Sequence, residues 1–261
     1  LSFLANASYV KNEIKNLGNQ TGYIDKESLP TLGTVSRNEN GYPIGYFFGY
    51  KAIGVFQTQE EIDSYISPAT GKPIQPNAAP GDTKFEDLNG DGVISDDNED
   101  RTMIGKPNPD WMVGLTVAAD WNGFDLSAFF QGSFGADVFD ALRRYELAAV
   151  NYTSDALERW TGPGTSNSMP RIVLGDTPKN FRPSTLLVHD ASFLRLRNLQ
   201  VGYTLPAQLT RKAYIQRLRF YASFDNLLTI TGYKGMDPEI GSTMGIDKGV
   251  YPQARVYTFG L

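Results

Sequence analysis

The feature that most constrains this chain is strict apolar–polar alternation, repeated over segments of about ten residues. Trp111, Val113, Leu115, Val117 and Ala119 share one face; Met112, Gly114, Thr116, Ala118 and Asp120 share the other. Trp121-Asn122-Gly123 follows, and Asn-Gly suits the two positive-φ positions of a tight hairpin turn. Phe124, Leu126, Ala128 and Phe130 then alternate with Asp125, Ser127, Phe129 and Gln131. A period of two predicts a hairpin with one apolar face and one small, polar face.

The same alternation marks Leu1 to Tyr9, where Phe3, Ala5 and Ala7 oppose Ser2, Leu4, Asn6 and Ser8. In Ser192 to Pro206, Leu194 and Leu196 lie on one parity, while Leu199, Val201 and Tyr203 lie on the other. That phase switch near Asn198 predicts a β-bulge. Leu218, Phe220, Ala222 and Phe224 oppose Arg217, Arg219, Tyr221, Ser223 and Asp225; Tyr257, Phe259 and Leu261 close the pattern. Gly45 to Phe56 reads as an aromatic strand with a bend. The reading gives about seven or eight strands.

Between them lie loops of very unequal length. Residues 16–44 read as loop, and 57–110 as a polar excursion whose Pro68, Pro73, Pro76, Pro80, Pro107 and Pro109 forbid a continuous helix. Residues 135–190 form a second excursion. Val138, Leu142, Tyr145 and Ala149 predict a short helix there, and Asp155 to Trp160 a second. An antiparallel sandwich gives the same alternation, but structureless loops of about fifty residues are uncommon in compact soluble domains. Short turns at one end and long loops at the other belong to outer-membrane barrels. Arg217, Arg219 and Asp225 agree: a lipid-facing Arg at midplane costs about 2–4 kcal/mol, so these groups must face a wet lumen or a polar partner. The strand-like first and last residues carry the further expectation of a piece cut from a larger sheet.

Composition removes most other chemistry. With no Cys and one His, neither a thiol enzyme nor a His-cluster metal centre is available. A net charge of −5 without a basic run argues against nucleic acid. No apolar run approaches the roughly 18 residues of a membrane helix, which leaves strands as the only means of crossing. His189 beside Asp190 reads as a packing residue, and no paired carboxylates sit in an apolar frame. An enzyme is therefore the last-ranked class. The aromatics Tyr42, Tyr46, Phe47, Phe48, Tyr50 and Trp160 suit sugar stacking or packing equally.

The sharpest chemical motif is Asp87 to Asp100, DLNGDGVISDDNED. Asp87, Asn89 and Asp91 occupy positions 1, 3 and 5 of an EF-hand-like loop; Gly92 permits the turn at position 6, and the Val93 carbonyl stands at position 7. Alternating Asp and Asn oxygens suit Ca2+, a hard ion. The usual Glu at position 12 is replaced by Asn98, leaving Asp96, Asp97, Glu99 or Asp100 to close the shell. The candidate metal set is Asp87, Asn89, Asp91, Val93, Asp96 and Asp100, as a structural site. A solvated acidic turn is the other reading.

Several stretches, in order, resemble the C-terminal part of SusC/RagA-type TonB-linked outer-membrane proteins of Bacteroidetes. They are Gly41 to Ile62, Gly81 to Ile94, Asp100 to Trp111, Phe124 to Asp140, Arg159-Trp160 with Pro170-Arg171, Ser192 to Pro206, Asn226 to Ile240 and Tyr251 to Leu261. In that family the last Asp of the acidic loop stands at position 12, directly before Arg-Thr; here that residue, Asp100, comes two positions late. The resemblance implies an all-β fold: residues 1–261 as the C-terminal segment of a plugged transmembrane barrel of about 22 strands. It also implies import of oligosaccharides or peptides across the outer membrane, energised through TonB, with a SusD-like surface lipoprotein as lid. The plug, the TonB box and the N-terminal strands would lie outside this chain. Residues 57–110, 135–190 and 232–250 would be the extracellular, lid-facing loops. The competing class is a secreted, calcium-stabilised β adhesin or glycan-binding module.

Overall fold

The alternating segments form strands in the computed structural model, which describes residues 1–143, 151–240 and 244–261. In chain order they are β1 (Ser2–Tyr9), β2 (Tyr23–Leu29), β3 (Gly33–Glu39), β4 (Tyr46–Tyr50) and β5 (Ala52–Val55). Helix α1 (Gln59–Ser64), β6 (Thr83–Phe85), β7 (Arg101–Gly105), β8 (Trp111–Trp121), β9 (Phe124–Phe134) and β10 (Asp137–Asp140) follow. The last elements are β11 (Val188–Asp190), β12 (Phe193–Thr204), α2 (Ala207–Thr210), β13 (Arg219–Thr231), β14 (Ile246–Asp247) and β15 (Val256–Gly260).

One six-stranded antiparallel sheet, in the order β1-β8-β9-β12-β13-β15, forms a wall. β8 and β9 pair from Trp111↔Phe134 to Trp121↔Phe124. Their turn carries Asn122 at φ 47° and Gly123 at φ 88°, the two left-handed positions that Asn-Gly supplies. β12 shifts register between Leu196 and Asn198 against both neighbours, so the phase switch in sequence is a bulge in space. Residues 205–218 join β12 to β13 at the same end as the Asn-Gly turn. The connections 10–110, 135–192 and 232–255 all depart from the other end, beside Tyr9, Trp111, Phe134, Phe193 and Thr231.

The wall has six strands where the alternation suggested seven or eight. Gly45 to Phe56 is the difference. It becomes β4 and β5, with Tyr46, Phe47, Phe48, Tyr50, Val55 and Phe56 all buried. A run apolar on both parities is buried on both faces, whereas the strands of the six-stranded sheet are apolar mainly on one. The connections are correspondingly more ordered than the sequence suggested. Residues 16–44 contain the β2–β3 hairpin, and β2-β3-β4-β7 make a four-stranded sheet. β5-β6 and β11-β10-β14 make two smaller sheets. Val35, Phe47, Phe139, Ala156, Met169, Phe181, Leu187 and Ile246 form their shared core, so the three long connections pack into one body. The helix expected from Val138 to Ala149 is not formed at its start, where Val138 belongs to β10; Tyr145 and Ala149 lie outside the described residues. The second expected helix is a single 3-10 turn, Ser154–Glu158.

Candidate functional site

The wall separates two chemistries. On one face stand Phe3, Leu115, Val117, Leu126, Phe130, Leu199, Val201, Phe224, Leu228, Ile230, Tyr257 and Phe259, in register from strand to strand. Tyr9, Trp111 and Phe134 border this face beside the long connections; Trp121, Phe124, Tyr203 and Phe220 border it at the short turns. Trp121 is 76% exposed, and the Phe124 and Tyr203 rings pack 4.4 Å apart. The ten residue steps from Trp111 to Trp121 span about 33 Å along the strand. Tilted by about 40°, that is about 25 Å, the height of an apolar barrel band between aromatic girdles.

The opposite face is small, polar and charged. Arg219 reaches across β12 to grip Asp125 on β9, at 2.9 and 2.5 Å. Gly202 lies beneath this pair, where a Cβ would stand 2.6 Å from the Asp125 oxygens. Asn198 donates to Asp225 at 2.7 Å and to Ser223 at 3.1 Å. Asp225 and Arg219 thus occupy the polar face, as the cost of placing Arg in lipid requires; Arg217 lies just before β13 and is exposed.

Near the long connections, Arg195 is 1% exposed on that face. It donates to Thr229 Oγ1 (2.9 Å), Asp237 Oδ1 (2.5 Å) and Glu239 Oε2 (3.0 Å). Arg197, in the bulge, donates to Gln131 (2.7 Å), Asn226 (3.1 Å) and Glu239 Oε1 (2.5 Å). Two arginines of β12 therefore hold the 232–255 connection down over the polar face. Burial opposes ionisation of Asp237, but the amides of Gln253 and Glu239 and the Arg195 guanidinium outweigh it and hold the carboxyl below its ordinary value.

The connection body has its own fastenings. Arg37 lies over Tyr23 and Phe48, Arg101 over Phe48 and Tyr50, and Arg182 over Tyr50 and Phe85, at 3.6 to 5.7 Å. This alternating column of arginines and rings crosses from the 10–110 connection to the 135–192 connection; each such contact is worth about 0.5–2 kcal/mol. A second clasp joins the same two segments. Arg171 takes Asp82 by two nitrogens, at 2.6 and 3.1 Å, and its amide donates to the Gly81 carbonyl at 2.7 Å. Gly81, at φ 93°, lies against the Trp160 ring, where a Cβ would overlap it. Gly81-Asp82, Arg159-Trp160 and Pro170-Arg171 thus converge on one joint.

The acidic turn is a tight coil. Asp87 accepts from the amides of Gly90 (2.8 Å) and Gly92 (2.9 Å), Asn89 from Asp91 (3.0 Å), and Asp91 from Val93 (2.8 Å). Gly92 has φ 89°, as its position requires. Asp100 is fully buried and accepts from Leu88 and Ser95, both at 3.0 Å, so it closes the coil despite its late position. The structure brings Asp87, Asn89, Asp91, Val93 and Asp100 to this coil and leaves Asp96 outside. Asp96 pairs with Lys179 and lies 3.8 Å from Arg182; the Lys179 hydrogen bond holds its carboxyl below the ordinary value. Among the described residues, no three acidic or imidazole groups gather as a metal cluster. A cation here would draw on the Asn89 side chain and the Val93 carbonyl as well as on carboxylates.

His189 sits in β11, its Nε2 3.7 Å from Asp140. Burial, reinforced by the Arg143 charge, lowers its pKa to about 4, so the ring is neutral at pH 7. It lines a polar cavity of about 530 Å³ with Arg143, Asp155, Glu158 and Lys234.

Known proteins with the same pattern resolve what this wall belongs to. TonB-dependent receptor P3 of Formosa agariphila is 34% identical over 232 residues, covering 85% of this chain and 22% of that protein. TonB-dependent receptor SusC of Bacteroides thetaiotaomicron is 30% identical over 259 residues, covering 98% of this chain and 23% of SusC. A chain of the RagAB peptide transporter superposes with a TM-score of 0.72 at 27% identity, over 98% of this chain and 26% of that one. This chain is homologous to part of the SusC/RagA-type TonB-dependent receptors. It spans about a quarter of the length of those relatives, and no protein-family model matches it. The six-stranded sheet is accordingly a segment of a transmembrane receptor barrel, its apolar face toward lipid and its polar face toward the lumen.

These buried fastenings were invisible to motif reading. Asp237-Pro238-Glu239 has the composition of a plain turn, yet both carboxylates are the counter-ions of Arg195 and Arg197. The available signal was two arginines at i and i+2 on one strand face, which demand nearby acids. Asp237→Ala leaves Arg195 buried without its closest partner, a change that costs about 3–5 kcal/mol. Denaturant melts of the full-length receptor should lose that much, whereas Glu13→Ala, at an exposed Lys15 pair, should change stability by under about 1 kcal/mol.

Proposed function

We propose that this chain is the wall-and-loop segment of an outer-membrane importer that takes up oligosaccharides or peptides with TonB-supplied energy, under a SusD-like lipoprotein lid. One observation carries the reading: three long connections leave the wall at one end and fuse into a single packed body, while the other end has only the Asn-Gly turn and residues 205–218. A body of that size at a barrel mouth is the surface a lid needs for docking. The relatives agree in kind, since they are named as TonB-dependent receptors and as a peptide importer. The polar face, with Arg195, Arg197, Arg219 and their acids, supplies the wet interior. No bond chemistry is assigned to it. Deleting Gly81 to Asp100 removes Asp82 and the acidic coil from the joint between the 10–110 and 135–192 connections. The full-length deletion variant should still insert in membranes but co-purify with markedly less lipoprotein. Undiminished co-purification would refute the docking role of this body.

We further infer that the acidic coil holds a structural Ca2+. The oxygens that fit are those of Asp87, Asn89, Asp91, the Val93 carbonyl and Asp100; hard-oxygen ligands in a tight turn suit this ion. Bound there, Ca2+ would neutralise the coil's carboxylates and stiffen it against Ser67 and Thr70, beside which Gly92 packs. Limited proteolysis of residues 87–100 should slow when Ca2+ is added and quicken with chelator, and Asp87→Asn with Asp91→Asn should abolish the difference. Cleavage that ignores Ca2+ in the unmodified receptor would remove the ion from the account.

A further inference from the structure

The connection between β12 and β13 has a composition unlike the rest of the chain. Residues 205–218 contain Arg211, Lys212 and Arg217 and not one Asp or Glu, in a chain whose net charge is −5. All three cations are exposed. Among the described residues no ion pair or side-chain hydrogen bond engages them, although the Arg217 charge also acts on the Asp125 carboxylate that Arg219 holds. Interleaved with them are exposed apolar groups: Leu209, Ile215 and Tyr214, the last 98% exposed at a left-handed turn with φ 58°.

Position supplies the rest. The connection is fixed to the wall by Thr204 N–H donating to the Gly123 carbonyl (2.7 Å) and Leu205 N–H to the Leu218 carbonyl (2.9 Å). It therefore begins directly beyond the Trp121, Phe124, Tyr203 and Phe220 row that ends the apolar face. In water, exposed Leu, Ile and Tyr beside unpaired cations gain nothing. At a bilayer boundary both gain: the apolar groups enter the acyl edge, and Arg and Lys extend to headgroup phosphates. Each such cation near an anionic surface strengthens binding several-fold.

We propose that residues 207–217 form a docking site for anionic phospholipid in the leaflet opposite the long connections, with Arg211, Lys212 and Arg217 on the phosphodiester headgroups. Charge complementarity and continuity with the lipid-facing band select this occupant over an acidic protein. The proposal rests on the wall being a membrane barrel, and its test separates the two. Full-length receptor in neutral detergent is titrated with phosphatidylglycerol or phosphatidylcholine, and bound lipid is counted by native mass spectrometry. The receptor should prefer phosphatidylglycerol by about tenfold or more. The variant carrying Arg211→Gln, Lys212→Gln and Arg217→Gln should lose that preference, and Lys15→Gln with Lys26→Gln should keep it. Equal binding of the two lipids by the unmodified receptor overturns the proposal without any variant, as does a preference that survives the triple substitution. Heat-modifiable gel mobility reports the barrel independently: its absence in the unmodified receptor would fault the barrel reading, and its presence without lipid preference would fault only this site.

Discussion

Backbone hydrogen bonding in hydrocarbon governs this structure. A peptide group in lipid has no water to turn to, so each wall strand must find its partners in its neighbours. The ladders from β1 to β15 meet that demand between strands, while the outer edges of β1 and β15 carry no partner among the described residues. Once the backbone is spent on the ladder, the side chains have only two directions. One must be apolar to meet lipid, and the other is free to be polar. The Arg219–Asp125 pair over Gly202 shows how far that freedom extends: a charged bridge spans a whole intervening strand because that strand has no side chain there.

The same constraint sets the division of labour along the chain. Strand residues cannot vary their backbone, so shape and recognition are left to the connections. Those connections are held by interactions that differ from the wall's. Cation–π stacking of Arg37, Arg101 and Arg182 and the Arg171–Asp82 clasp join segments far apart in sequence. Arg195 and Arg197 then couple this body to the lumen face. Of the two, Arg195 is almost wholly buried and Arg197 partly so.

The wall was legible because its physics is periodic. Asn122-Gly123, the Asn198 phase switch and the Trp111–Ala119 face each followed from local rules, and each stands where the alternation put it. The connection body was not legible, because its order is set by contacts between distant segments. β2, β3 and β7 are short on their own; β3 and β7 flank the buried β4, and β2 pairs with β3. Gly45 to Phe56 looked like a wall strand because aromatics on both parities mimic a strong strand; burial on both faces took it elsewhere. In the acidic turn, spacing marked Asp87, Asn89 and Asp91 and left Asp96, Asp97, Glu99 and Asp100 as alternatives for closing it; the fold puts Asp100 against the coil. Spacing offered no means of seeing that Asp96 would turn to Lys179.

The central claim is that one face of the wall meets lipid and the other the lumen. These 261 residues contain no Cys, so in a full-length background freed of any Cys elsewhere a single label reports one position. Single cysteines would be placed at positions 113 to 119 and 125 to 130 of the full-length receptor in bilayers, spin-labelled, and compared for accessibility to oxygen and to a water-soluble nickel chelate. The account predicts a period of two, with oxygen favoured at Val113, Leu115, Val117, Leu126 and Ala128 and disfavoured at Gly114, Thr116, Asp125 and Ser127. Uniform accessibility along β8 and β9, or nickel access at Leu115 and Val117, would contradict it.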